Sequence, residues 1–416
     1  MREILKGSLV IFLFKIIGAF SLFALYILIS RYYGAETFGV FNLIFALMLT
    51  FSVLTRVGLD TYLLRVVSSL KDDKEEIALF LKRVFTILLF SSLFVSLLIY
   101  AFSNYIDEYL FKSIDAKAYI IGLAFITLPY TFFNVLPELF RGFEDIRRYA
   151  FFRNFSQNFT IVLLVSLSIF GSFNYDPIYI LYFSIVLIAI SIVVTAYIFL
   201  KKQKINLLIK GRYNKKILKY SYPMFLASSI MFIMGYVDSF MISYYLDEYH
   251  VGIYNACINL SMLITFIPMA IGGFISPKVS LAYSNNEFDK IKNIFKNSFI
   301  IILIVTLPIF LILYLYADSF LALFGADFRI ATTTLLLTNI AFLSEALCGP
   351  VGFIMNMTDN QHLFMKILII SLLINIVFNA LLIPIYGING AATAMILSMF
   401  FWTIGSLIAL KRKRII

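Results

Sequence analysis

Six ionisable residues stand inside long apolar runs of the 416-residue chain: Lys15, Arg56, Asp60, Glu138, Asp238 and Glu345. A charge placed in hydrocarbon is costly, so each is expected to face a cavity or a partner. Arg56 and Asp60 are four apart and Glu138 and Arg141 three apart, spacings that suit neutralised pairs on one helix face. Lys15 has no such neighbour. It is expected about two turns from the end of its run, at a depth similar to that of Arg56. With Arg65 and Lys278 nearer the membrane surface, these two could form a basic cleft for an anion, Arg through directional bidentate bonds and Lys as a point charge. The other reading of Arg65 and Lys278 is snorkelling to the interface. A second group is rich in oxygen. Asp238, Asn375, Asn379 and Thr393 offer a carboxylate, two amides and a hydroxyl, hard ligands suited to a small cation, and Asn375 and Asn379 share a helix face. Asp238 or Glu345 could instead carry a proton. Plain hydrogen bonds between helices are the simpler use of the same Asn and Thr side chains.

The elements that must hold these residues are membrane helices. Hydrophobic residues make up 62% of the chain and charged ones 14%, against about 45–50% and about 25% in a soluble domain. Twelve apolar segments can be marked, near 8–30, 38–66, 84–103, 118–140, 153–171, 178–200, 220–245, 251–277, 297–317, 331–356, 364–384 and 389–410. Each is close to or beyond the ~20 residues a helical span needs. Sorting cations by alternate loops puts 28 of the 34 Lys and Arg on one side and 4 on the other. That bias predicts both termini in the cytoplasm. Tyr32, Tyr33, Tyr100, Tyr105, Tyr175, Tyr179, Tyr244, Tyr245 and Tyr386 fall near the outer ends, where amphipathic rings suit the headgroup region. The net charge of +11 is therefore read as orientation, and no nucleic-acid partner is expected.

An offset of 213 residues aligns the chain with itself. Ile4-Leu5-Lys6 falls on Ile217-Leu218-Lys219, Tyr32 on Tyr245, Gly39-Val40-Phe41-Asn42 on Gly252-Ile253-Tyr254-Asn255, and Arg65 on Lys278. Six spans per copy is an even number, so both copies enter the membrane in the same sense, the parallel layout of transporters that rock two lobes about a central site. The expected fold is all-α integral membrane, about twelve transmembrane helices in two six-helix lobes around a central cavity. The lobes are expected at 1–205 and 206–416, joined by the lysine-rich stretch 201–219, which is either a plain linker or a segment lying on the anionic inner leaflet. Pro268, Gly272, Gly273, Pro277, Gly349-Pro350, Pro129 and Pro137 mark where helices can bend.

Arg31-Tyr32-Tyr33-Gly34, Phe38-Gly39-Val40-Phe41, Gly58-Leu59-Asp60 and Arg65 resemble the N-terminal signature of polysaccharide exporters in the multidrug/oligosaccharidyl-lipid/polysaccharide (MOP) superfamily. The stretch from Asn379 through Pro384, Tyr386 and Gly387 to Ala392 resembles that family's C-terminal signature. The resemblance covers essentially the whole chain. It implies an O-antigen or capsular flippase moving undecaprenyl-diphosphate-linked oligosaccharide from the cytoplasmic to the outer leaflet of the bacterial inner membrane. The diphosphate would then be the anion admitted by Lys15, Arg56, Arg65 and Lys278. The oxygen-rich group is similar to the sodium site of lipid II flippases in the same superfamily. By that likeness Asp238, Asn375 and Thr393 would be ligands, and Asn379 stands where the relatives carry a second carboxylate. Sodium and a proton are the two coupling ions this leaves open; no other cofactor is implied.

No phosphate-binding loop, zinc spacing or disulfide framework is present: the two cysteines, Cys257 and Cys348, sit in apolar runs. The basic N-terminus before an apolar run imitates a signal peptide, but the run continues to about Ser30 without a cleavage site and reads as a retained span. A drug/cation antiporter of the same superfamily is the nearest rival, although it should prefer an anionic site. A membrane O-antigen polymerase or ligase is a further alternative, for which the longest outer loop, about 104–117, is short. A monomer is expected, with membrane lipid and the pathway's polymerase and chain-length proteins as neighbours.

Overall fold

The computed structural model describes residues 2–415 apart from 71, 72, 210, 212, 214–216 and 414, with the side chains of 2–9, 223, 227 and 231 also outside the description. Of the cations sorted above, the side chains of Arg2 and Lys6, and Lys71, Lys210, Arg212, Lys215, Lys216 and Arg414, lie outside the described residues. All regular structure among the described residues is helical, as the closure of backbone hydrogen bonds within lipid requires of a chain with this composition. In order the helices are α1 (Arg2–Arg56), α2 (Leu59–Ser69), α3 (Lys74–Ala101), α4 (Ser103–Leu110), α5 (Lys117–Gly142), α6 (Ile146–Ala150), a π-helical turn (Phe151–Ser156), α7 (Gln157–Phe170) and α8 (Pro177–Lys202). There follow α9 (Ile217–Tyr245), α10 (Glu248–Ser261), α11 (Phe266–Ser284), α12 (Phe288–Leu315), α13 (Ala317–Leu321), α14 (Thr332–Met357), α15 (Gln361–Tyr386) and α16 (Ile388–Arg412).

Ten of these helical stretches are long and apolar enough to cross a membrane. The difference from the expected twelve lies in two places. α1 holds the first two expected spans end to end, broken only where Gly34 leaves helical geometry at φ 86°. The fifth expected span is helical from Ile146 to Phe170 but is interrupted by the π turn, so no single α-helix there is long enough. The eighth expected span bends where proline predicts it: a 3₁₀ turn, Met262–Thr265, precedes Pro268, whose ring nitrogen cannot bond the carbonyl of Ile264.

The chain divides into two compact units, one of residues up to Tyr33 with Val40–Gly235, the other of Gly34–Gly39 with Tyr236–Ile416. The division falls thirty residues beyond the expected 205/206, inside α9. The start of α9 is held by the first unit: Tyr220 stacks on Tyr62 with ring centroids 6.0 Å apart. Gly58, at φ 73°, brings its Cα so close to α9 that a methyl there would lie 2.4 Å from the Ser221 carbonyl. That close approach explains the glycine of Gly58-Leu59-Asp60.

Within the first unit, α5 packs on α2, α3 and α8. Hydroxyls tie these helices: Thr55 to Thr131 (2.7 Å), Ser91 Oγ to the Thr55 carbonyl (2.6 Å) and Ser96 Oγ to the Ala124 carbonyl (2.7 Å). Small polar groups do this work because lipid tails leave no hydrophobic drive between helices. Within the second unit, α14 and α15 pack on α16. Ser261 meets Thr338 at 2.8 Å, and Ser371 donates to the Ser398 carbonyl at 2.7 Å.

The duplication is visible in one helix crossing. A methyl added at Gly39 would sit 1.7 Å from the Glu248 carbonyl oxygen, and one at Gly252 would sit 2.1 Å from that of Ala35. The offset of 213 that carries Gly39 to Gly252 also carries Ala35 to Glu248, so within the second unit the contact is reciprocal. The break at Gly34 likewise falls on Asp247, which caps α10 by accepting from the His250 amide at 2.9 Å. Gly252→Ala is therefore expected to lose about 1–3 kcal/mol through overpacking, read as a lower thermal unfolding midpoint in detergent. Gly235→Ala, with nothing within 4 Å of the added methyl, should lose none.

Candidate functional site

Two polar groups lie inside spanning helices, one in each unit. In the first, the ladder of α1 ends at Arg56 and Gly58 turns the chain into α2, which places Asp60 in the first turn of α2. The Arg56 guanidinium is buried. It donates from Nε to the Ser52 carbonyl at 3.0 Å and from Nη1 to Asp60 Oδ2 at 2.8 Å. The neutralised pair expected from the spacing is formed. Arg141 reaches Glu138 at 3.5 Å and lies over the Tyr149 ring, so the second expected pair is formed too.

A residue not anticipated in this group is Arg153, placed by the sequence pattern at the end of a cytoplasmic loop. It sits on the π turn, where Nη1 donates to Asn134 Oδ1 of α5 at 3.3 Å, and it interacts electrostatically with Arg56 and Glu138. The run Arg153-Asn154-Phe155-Ser156-Gln157-Asn158, polar for a span, was the available signal. Nothing in it dictates a π turn.

The other expected anion-binding residues are more open. Lys15 is exposed on α1 and has no hydrogen bond or ion pair among the described residues. Arg65 is exposed on α2. Lys278 belongs to the second unit, with Nζ 3.8 Å from the centre of the Phe274 ring one turn earlier.

In the second unit α9, α10 and α15 converge on Asp238. Its Oδ1 accepts from Asn379 Nδ2 at 2.6 Å and its Oδ2 from the Tyr254 hydroxyl at 2.9 Å, while Asn379 Nδ2 also donates to Asn375 Oδ1 at 3.0 Å. All four side chains are buried. Asp238, Asn375 and Asn379 are thus brought together as the residue types predicted; Tyr254 was missed, although it lies in the repeated Gly252-Ile253-Tyr254-Asn255 motif. Thr393 is not bonded to them. Its hydroxyl donates to the Asn389 carbonyl of its own helix at 2.8 Å. Glu345 stands apart on α14, half-buried, with no hydrogen-bond or ion-pair partner among the described residues.

Two features of the Asp238 group suit a small cation. The carboxylate has no cationic partner among the described residues, and the buried Oδ1 of Asn379 accepts no hydrogen bond. A buried acceptor left unused can be met by a hydrogen-bond donor or by a cation.

Comparison with known proteins follows these features. The "Probable low-salt glycan biosynthesis flippase Agl15" of Haloferax volcanii is 26% identical over 168 residues, 40% of this chain; the match spans 36% of the relative's length. Among solved structures, "Lipid II flippase MurJ, inward closed conformation" superposes with a TM-score of 0.76 at 17% identity, covering 99% of this chain and 89% of the other. An inward-facing multidrug resistance MATE family transporter of the MOP superfamily also gives 0.76, at 15% identity, covering 95% and 94%. At these identities the structural likeness establishes the fold alone, the all-helical fold these two structures share. Residues 223–381 match the MatE family. Residues 4–280, about two thirds of the chain, match the polysaccharide biosynthesis protein family, and the chain belongs to it.

Proposed function

We propose that this protein is a flippase that carries oligosaccharide, linked through diphosphate to a polyprenyl lipid, from the cytoplasmic to the outer leaflet by alternating access, for assembly of a surface polysaccharide such as O-antigen or capsule. In a bacterial inner membrane the carrier is undecaprenyl diphosphate. The Haloferax relative is archaeal, so the proposal concerns the polyprenyl class, with undecaprenol its bacterial form. The observation that carries the reading is the division of charge: a first unit with a buried arginine, Arg56, in electrostatic reach of the exposed Arg153, and a second with a buried carboxylate, Asp238, that meets no cation among the described residues. Guanidinium groups suit a diphosphate, and a lone buried carboxylate suits a coupling cation. A drug/cation antiporter would be expected to put the carboxylate where the drug binds.

Asp238, Asn375, Asn379 and Tyr254 would hold the coupling ion, sodium or a proton. Such an ion supplies the positive charge the carboxylate lacks. Glu345 is the second proton acceptor in this reading. The sidedness expected from the cation partition would put the anion group of the first unit toward the cytoplasm, where lipid-linked sugars are made. Disruption of the gene tests the proposal. Surface polysaccharide should be lost while the lipid-linked repeat unit accumulates inaccessible to external glycosidase. Unchanged surface polysaccharide, or accumulation on the outer face, would show that another step was affected.

A further inference from the structure

Residues 201–219 carry eight Lys and Arg and no Asp or Glu. They join α8 to α9, two helices of spanning length, and lie wholly in the first unit. α8 ends in a tight turn. Lys204 takes left-handed geometry at φ 59°, its amide donates to the Lys201 carbonyl at 3.1 Å, and the Ile205 amide donates to that of Leu200 at 3.0 Å. This pairing closes a helix C-terminus and tucks in the apolar residue that follows, here the buried Ile205. Asn206 then bends the chain again, its Oδ1 accepting from the Leu208 amide at 3.0 Å. Beyond this the chain is pinned to α3: the Lys82 ammonium donates to the Ile209 carbonyl at 3.3 Å, and the Tyr213 ring lies 5.2 Å from that of Phe80.

This fixed path leaves a leucine and three lysines outward. Leu208 is 88% exposed, more than any other large apolar side chain among the described residues, although it stands six residues past the end of α8. Lys201, Lys202 and Lys204 are exposed, and their ammonium groups meet no acceptor among the described residues. A leucine held out by a bonded backbone cannot fold back onto the protein, and beside the end of a spanning helix the apolar surroundings within reach are acyl chains. Lysines at that level face headgroups, and a cluster free of carboxylates favours headgroups of negative charge. On a soluble face the same pattern would favour an acidic protein; the junction with α8 sets it against lipid instead. We infer that segment 201–208 is a docking surface for anionic phospholipid, with Leu208 entering the acyl region and Lys201, Lys202 and Lys204 holding phosphate headgroups. The basic stretch then anchors the first unit on the leaflet it faces, whatever the carrier moves.

Leu208→Trp in nanodiscs tests this through lipid-borne quenching of the added indole. The nanodiscs hold equal parts of phosphatidylcholine and phosphatidylglycerol, with bromine on the acyl chains of one lipid or the other. Wild-type protein, whose one tryptophan is Trp402, supplies the baseline, and thermal unfolding checks that each variant folds. The indole should be quenched by both lipids, and phosphatidylglycerol should bind beside it at least about fivefold more tightly than phosphatidylcholine, the scale of one lysine at an anionic leaflet. Lys201→Gln, Lys202→Gln and Lys204→Gln together should bring that preference near parity, as should about 1 M salt, where the screening length falls to about 3 Å. Equal quenching by the two lipids would overturn the assignment. An indole quenched by aqueous iodide and by neither lipid would overturn it as well, marking a segment open to water or to a soluble partner. So would an equal loss of preference from Lys292→Gln with Lys296→Gln in the second unit, which would reduce the effect to overall surface charge.

Discussion

Asp238→Asn is expected to abolish ion-dependent transport and to leave a folded protein, if the Asp238 group holds the coupling ion as proposed. The substitution keeps the size of the side chain and one oxygen for the Tyr254 hydroxyl or the Asn379 amide, so the junction of α9, α10 and α15 still closes. What goes is the one negative charge of the group. Without it the site offers only dipoles, and affinity for a coupling cation should fall at least tenfold, about 1.4 kcal/mol or more. Transport driven by an imposed ion gradient reads the loss, and thermal unfolding controls for folding. Glu345→Gln separates the ions. If sodium drives transport through Asp238, Glu345→Gln should leave sodium-driven transport unaltered; abolition by Glu345→Gln alone would move coupling to α14. Unaltered transport in Asp238→Asn would remove the site from coupling altogether.

The second large effect is on stability. Asp60→Leu strands the Arg56 guanidinium, which is buried and, among the described residues, otherwise bonded only to the Ser52 carbonyl. Removing one partner of a buried pair costs about 3–5 kcal/mol, and the partial exposure of Asp60, 18% of its side chain, places this case toward the lower end. The double replacement Arg56→Met with Asp60→Leu should regain most of the loss, because two apolar chains of similar volume need no mutual neutralisation. A double-mutant cycle on unfolding in detergent measures the coupling. A cycle that closes to zero would mean that the pair contributes nothing and that Arg56 is held by its surroundings alone.

The fold was legible because hydropathy and positive charge act on every span at once. Break points were legible where one residue decides them, as Pro268 does for α11. The π turn was not, because no single residue of Phe151–Ser156 forces it. The repeat was readable from Gly39 and Gly252, but that each packs on the image of the other needed the crossing itself. At the sites, residue type served better than spacing along the chain. Asp238, Asn375 and Asn379 were found because each is unusual in hydrocarbon. Tyr254 was passed over because tyrosine in a membrane helix reads first as an interface anchor. Arg56 shows the limit from the other side. Its depth suggested a binding role, and the neighbour four residues on had already claimed its charge.

The most direct test of the central claim, a two-unit carrier that moves a lipid-linked glycan through a unit rich in arginine and couples it to a cation in the other, is flipping in reconstituted vesicles. Protein is inserted into liposomes holding a polyprenyl-diphosphate oligosaccharide with a fluorescent sugar, a sodium or proton gradient is imposed, and the fraction bleached by an external reductant is followed. Gradient-dependent movement of the glycolipid is expected, and none of a fluorescent lipophilic cation. Movement of the cation with the glycolipid left in place would contradict it.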